Sequence, residues 1–280
     1  MKKNSIVFVP AGGLANRMMA LASAYALAQR VGSALQVVWF QDWALHAPFH
    51  AVFTTPSLPL AIKEASWGDY LLYDRARKKN LWLSALPQRL LFDRRLKEDR
   101  VYELQLEAFD FDRWVVGRCY MSCFCEFGSV PDELYRQLFQ PVSEVMDVVN
   151  GFRERFSSHT IGLHIRRTDH EQAIANSPDR LFLEKVEQEV QRHDDTKVFL
   201  ATDSNAVKDA FCQRFGNRIL FQKEEARRDS IDGIRGGLID MYTLASTSKI
   251  YGSAGSTFSP MASRIGGCDL EVLSIMPPKD

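Results

Sequence analysis

No stretch of the 280-residue chain comes near the roughly 20 consecutive apolar residues that a membrane-spanning helix needs. The opening Met1-Lys2-Lys3-Asn4-Ser5-Ile6-Val7-Phe8-Val9-Pro10 starts like a secretion signal. Its apolar run is too short for one and stops at Pro10 and the Gly12-Gly13 pair. Charge of one sign is missing too: Lys+Arg and Asp+Glu both number 35. Without a basic excess there is no electrostatic footprint for nucleic acid or an anionic membrane. Clusters such as Arg75-Ala76-Arg77-Lys78-Lys79 read as solvated surface. Cysteines number five, an odd count that fits a reducing compartment better than a disulfide framework. Cys119, Cys123 and Cys125 have no neighbouring His pair to complete a zinc set, and a strand would space them about 6–7 Å apart per two residues. They read as buried free thiols. A Gly-x-x-x-x-Gly-Lys-Ser/Thr loop is absent, which argues against a P-loop kinase or NTPase. These absences leave a cytoplasmic protein as the expectation.

What is present is an ordinary apolar fraction, 46%, in a chain long enough for one large or two medium domains. A strand over 5–10 runs into Ala11-Gly12-Gly13-Leu14-Ala15-Asn16-Arg17, then a run of strong helix formers to Val31, a Gly32 stop and a strand over 35–40. The two glycines allow a tight turn, and the helix start offers free amides to an anion. The spacing is not Gly-x-Gly-x-x-Gly, so no dinucleotide fingerprint is implied. Residues 41–115 have poor periodicity, with Trp43, Trp67, Trp82 and Trp114 set among charge and proline. They predict short helices and loops with a modest share of the sheet; the aromatics fill a core or line a sugar cleft. Residues 114–127 predict a strand and 131–156 one or two amphipathic helices, with Gly151 or Ser157-Ser158 as the hinge between halves.

From Thr160 the pattern turns regular. Strands are expected over 160–165, 197–201, 218–222, 249–253 and 270–276, alternating with helices, the first opened by a Ser177 cap with Pro178 at its first position. That alternation implies a doubly wound parallel sheet. Its ligands sit outside the carboxyl ends of the strands. Three such ends carry polar groups: Arg166-Arg167-Thr168-Asp169, Thr202-Asp203-Ser204, and Ala254-Gly255-Ser256-Thr257-Phe258-Ser259-Pro260. Guanidinium is a permanently charged, planar fork suited to phosphate. Ser259 is expected to cap a helix begun by Pro260, with Ser256 and Thr257 adding hydroxyls. Routine capping turns and surface ion pairs are the competing reading; the arginines favour a diphosphate, since caps do not require them.

Taken together, Gly12-Gly13-Leu14-Ala15-Asn16-Arg17, His164-Ile165-Arg166-Arg167-Thr168-Asp169, Ala201-Thr202-Asp203-Ser204, Arg235-Gly236-Gly237-Leu238-Ile239-Asp240 and Ser256-Thr257-Phe258-Ser259 resemble the GDP-fucose-dependent fucosyltransferase superfamily (α1,6-, α1,2- and protein O-fucosyltransferases). The resemblance implies a GT-B-like α/β fold. Two Rossmann-like domains would face a cleft, 1–155 on the acceptor side and 156–280 on the nucleotide-sugar donor side. It implies that Arg166 contacts the β-phosphate with Arg167 in support, that Asp203 belongs to the donor site, and that His164 and Asp240 read the guanine. Ser256, Thr257, Phe258 and Ser259 would hold the diphosphate, and Asn16, on the Gly12-Gly13 turn, would approach the sugar–phosphate end from the other domain. Transfer to a saccharide hydroxyl would be inverting and metal-independent, with no cofactor beyond the GDP-sugar donor. Another nucleotide sugar, or a non-catalytic nucleotide-sugar-binding protein, are the alternatives. Where the α1,6 members carry a Lys and a Glu soon after the arginine motif, His170-Glu171-Gln172 follows directly here. Glu171 is therefore the nearest candidate for the base, and Asp169 an orienting partner of the arginines.

Overall fold

A computed structural model describes residues 4–74, 85–167, 171–223 and 228–276. The chain divides into two compact units, Met1–Val142 with Arg228–Ile234, and Ser143–Arg227 with Arg235–Asp280.

In the first unit, the apolar run Ser5–Pro10 forms β1 and feeds α1 (Leu14–Arg30) through the Gly12-Gly13 turn. Alanine and leucine bury α1 along most of its length, and it stops where Gly32 takes φ +60° and returns its N–H to the Gln29 carbonyl at 3.2 Å. β2 (Ala34–Trp39) follows, then the poorly periodic stretch: β3 (Ala61–Glu64), α2 (Trp67–Leu72), α3 (Ala85–Leu91), β4 (Arg94–Leu96), α4 (Glu98–Leu106) and α5 (Phe111–Trp114). β5 (Arg118–Cys123) and α6 (Asp132–Leu138) complete it. The five strands are parallel in the order β3-β2-β1-β5-β4. The irregular region thus gives only the two short edge strands. Phe49 and Phe53 of this region are core: Trp39 of β2 meets Phe49 edge-on at 5.3 Å, and Phe53 and Phe139, just past α6, continue the chain of rings. Trp43 and Trp67 are exposed, and Trp82 lies outside the described residues.

The second unit begins with α7 (Ser143–Arg153), so the break comes before this helix and not at the expected 155/156 boundary. The physical reason is Phe152, whose ring meets Phe199 at 5.1 Å and covers the second sheet. Gly151 lies within α7 and is no hinge. β6 (Thr160–Ile165), α8 (Glu171–Asn176), α9 (Asp179–Arg192), β7 (Lys197–Thr202), α10 (Asn205–Phe215), β8 (Ile219–Leu220), α11 (Ile231–Leu244), β9 (Lys249–Ser253), α12 (Phe258–Gly266) and β10 (Asp269–Leu273) follow. This sheet is also wholly parallel, in the order β10-β9-β6-β7-β8. Every residue of the central β6 is buried, which is why it reads as a short, mostly apolar run. Ile161, Leu163, Val198 and Leu200 close over Phe182 and Val186 of α9 and Phe211 of α10. Gly162 is required by contact rather than by backbone shape: a Cβ there would lie 2.7 Å from Leu244 Cδ2 and 2.9 Å from Thr247 Oγ1.

In the second sheet β6 connects toward β7 and β9 toward β10, in opposite directions, so a switch point lies between β6 and β9. Loops at such a point diverge and leave a crevice at the carboxyl ends of the strands. This is where Arg166 stands.

Candidate functional site

β6 ends at Ile165, and the next two residues part company. The Arg166 N–H donates to Ser253 Oγ at 3.1 Å, and that hydroxyl donates to the His164 carbonyl at 3.2 Å, stitching the ends of β6 and β9 together across the switch point. The Arg166 guanidinium is about a quarter exposed, with its Nε 3.3 Å from Asp203 Oδ2. The other carboxylate oxygen of Asp203 accepts from the Arg167 N–H at 2.7 Å, so Asp203, just past β7, aligns both arginines. The Arg167 side chain turns away. Its donors go to Asp179 Oδ1, to the Arg166 carbonyl at 2.7 Å and to the Ser177 carbonyl at 2.7 Å, and it is only 13% exposed. Arg167 therefore fixes the loop in place while Arg166 keeps an exposed edge.

His164, the last inward residue before that loop, is buried and stacks on Phe258 with ring centroids 4.8 Å apart and planes at 27°. Burial, aided by the Arg166 charge, lowers its pKa to about 3, so the ring is neutral at physiological pH. Its Nδ1 has no hydrogen-bond partner. The same holds for Asp240 Oδ1 and Thr243 Oγ1, one helical turn apart on α11, and for Ser259 Oγ on α12. Burial raises the Asp240 pKa to about 7, against the opposing pull of Lys208. Buried polar atoms without partners are rare in folded proteins. These four mark places where a polar ligand or water gains its full hydrogen-bond energy.

The turn from β9 into α12 differs from expectation in detail. α12 starts at Phe258 with Thr257 as its N-cap residue, and Ser259 sits inside the first turn and does not cap it. Ser259 faces β9, where a Cβ on Gly252 would come within 2.3 Å of its Oγ. The Phe258 N–H donates to Ser256 Oγ at 3.3 Å. Ser177 is likewise not the expected cap; Pro178 takes that position. The Ser177 hydroxyl, fully buried, accepts from the Ala254 N–H at 2.8 Å and donates to the Leu273 carbonyl at 2.6 Å. Ser177, Ser253 and Gly252 were not singled out as site residues; a Gly-Ser pair closing a strand is too common to signal such a role.

Asp169 lies outside the described residues, and of Glu171 only the backbone, opening α8, is described. In the first unit, Gly12 takes φ +84°, and Asn16 lies against it in the first turn of α1. Arg17, absent from the expected site, organises this turn. Wholly buried, it donates to the Gly12 carbonyl at 2.9 Å and the Phe40 carbonyl at 2.5 Å, pairs with Asp42 at 3.0 Å and lies over the Trp39 ring. Of the thiols, Cys119 and Cys123 are buried and Cys125 half-buried, all free.

Fold and site together define a protein built from two Rossmann-like parallel sheets, GT-B in form, with a charged group presented at the switch point of the second. No protein-family model and no curated protein sequence matches the chain. Solved structures do, fucosyltransferases among them. NodZ from Bradyrhizobium is 20% identical over 94% of this chain and 93% of its own, with a TM-score of 0.62. Arabidopsis thaliana FUT1, as a mutant in complex with GDP, is 15% identical over 97% of this chain and 70% of its own, at 0.67. POFUT1 in complex with GDP-fucose is 12% identical over 96% and 98%, at 0.59. At these identities the likeness is one of fold.

Proposed function

We propose that the chain is a glycosyltransferase that moves fucose from GDP-fucose to a saccharide hydroxyl, inverting the anomeric carbon and using no metal. The observation that carries this is Arg166, held by Ser253 and Asp203 at the switch point of the second sheet, next to the turn that enters α12. As the acceptor oxygen bonds to the anomeric carbon, the bond to the diphosphate breaks and its electron pair stays on GDP. Arg166 and the first amides of α12 supply positive potential where that charge gathers, and this stabilises the transition state more than the ground state. Thr257, Ser256 and Ser259 frame the diphosphate in this reading. Solved proteins of this fold carry GDP or GDP-fucose. Guanine suits the second unit: its N1–H and amino group are donors for the Asp240 carboxylate, and neutral His164 offers an unpartnered ring nitrogen. Glu171 is the proposed base for the acceptor proton. A role in polysaccharide assembly in the cytoplasm fits this chemistry, and among the described residues no helix is long and apolar enough to cross a membrane.

Transfer assayed from GDP-fucose across a panel of oligosaccharides tests the proposal. Turnover that falls about 10²–10³-fold in Arg166→Ala, the usual effect of deleting one such donor, is the expected outcome. Full activity in that variant would refute it.

A further inference from the structure

We propose that His159, Glu189 and His193 form a binding site for a divalent transition-metal ion of the zinc class, at the end of the second sheet opposite the strand ends that carry Arg166. His159 immediately precedes β6, and six strand residues span about 20 Å, so the site stands clear of the donor loops. Glu189 lies in the last turn of α9 and His193 is the residue that caps it, its N–H donating to the Glu189 carbonyl at 2.9 Å. Their ligand atoms and that of His159 lie within 4.8 Å of one another. His159 Nε2 is 2.9 Å from Glu189 Oε2, and the two imidazoles face each other with centroids 3.8 Å apart.

The surroundings are organised as a ligating set requires. Tyr251 on β9 donates to Glu189 Oε1 at 2.6 Å, which turns the other carboxylate oxygen toward the histidines. The fully buried Thr196 donates to the carbonyls of His193 at 2.6 Å and Glu189 at 3.1 Å, fixing the turn on which both ligands ride. Such outer partners orient first ligands and raise their affinity. The charged neighbours are Arg192, 3.7 Å from Glu189 Oε1, and Asp195, whose carboxylate is lowered in pKa by Ser158 and by His159. Two nitrogens and one carboxylate oxygen suit zinc, cobalt or nickel and not magnesium or calcium, which prefer all-oxygen sets. His193 is exposed, so its ring can rotate inward to a bond length of about 2.0–2.1 Å, with water completing the shell. An ion here ties α9 to the start of β6 and, through Tyr251, to β9.

Chelator-treated full-length protein titrated with ZnCl₂ by calorimetry, and with CoCl₂ by visible absorption, tests this. One equivalent should bind, cobalt should give d–d bands, and His193→Ala should lose at least about tenfold in affinity, while Cys123→Ser/Cys125→Ser should bind as the parent does. Absence of saturable binding, or binding that survives in His193→Ala but is lost in the double cysteine variant, would overturn it.

Discussion

Arg166 and Arg167 carry the same group on adjacent residues, yet the fold gives them opposite duties. Arg167 spends its donors on Asp179 and two carbonyls, whereas Arg166 is oriented by Asp203 and stays about a quarter exposed. The difference predicts a split in binding. Arg166→Ala should weaken GDP with little loss of stability, and Arg167→Ala should lower the melting temperature, since it strands buried carbonyls. Asp240 gives a prediction in pH. Its folded pKa of about 7 lies above the ordinary 3.8, so the group costs stability as pH rises from about 4 to 7, the range in which the folded form alone keeps the proton. If guanine donates to the carboxylate, binding needs the ionised form. GDP affinity should then rise about tenfold between pH 6 and pH 8, and calorimetry on Asp240→Asn should give a flat profile. An unchanged slope in that variant would assign the proton elsewhere. His164 runs the other way. A pKa lowered to about 3 against 6.5 means that stability is full above 6.5 and is lost as pH falls toward 3, by on the order of a few kcal/mol, because only the unfolded chain takes the proton.

At the scale of elements, the strands that position the site were legible because they are buried on both faces. β6, β7 and β9 read as short apolar runs ending in polar turns, and the motif residues fall at their carboxyl ends. The alternation gave the parallel sheet, while the order of strands, and hence which two ends adjoin, came only with the structure. Helix starts were read less well. Ser177 and Ser259 have the composition of caps, but both hydroxyls point into the sheet, where local pattern cannot see that Ala254, Leu273 or Gly252 awaits them. The region from Gln41 to Val115 resisted reading because its edge strands are only three or four residues long. Ser177→Ala should cost about 1–3 kcal/mol in denaturant unfolding, since it leaves the half-buried Ala254 N–H without its acceptor. It should also weaken GDP binding, because that N–H begins the turn into α12. An unaltered unfolding midpoint would show that this hydroxyl is not what holds the turn.

At the scale of the whole molecule, two parallel sheets of five strands share one design: a central first strand with a turn at its carboxyl end. The turns differ in chemistry. Gly12-Gly13, braced by buried Arg17, offers backbone, and the turn after β6 offers a guanidinium. That asymmetry was visible in the sequence as glycines in one half and paired arginines in the other. Arg17 itself was not, because an arginine after a glycine turn gives no sign that it will be wholly buried. The central claim is that the second unit recognises a guanosine diphosphate through Arg166, and the most direct measurement is calorimetry of the parent and Arg166→Ala against GDP, UDP, ADP and TDP. The account predicts one GDP bound per chain, the other three at least about tenfold weaker, and a loss of about 2–3 kcal/mol for GDP in the variant, the scale of a charged hydrogen bond. Equal binding of all four nucleotides, or GDP affinity untouched by the substitution, would contradict it.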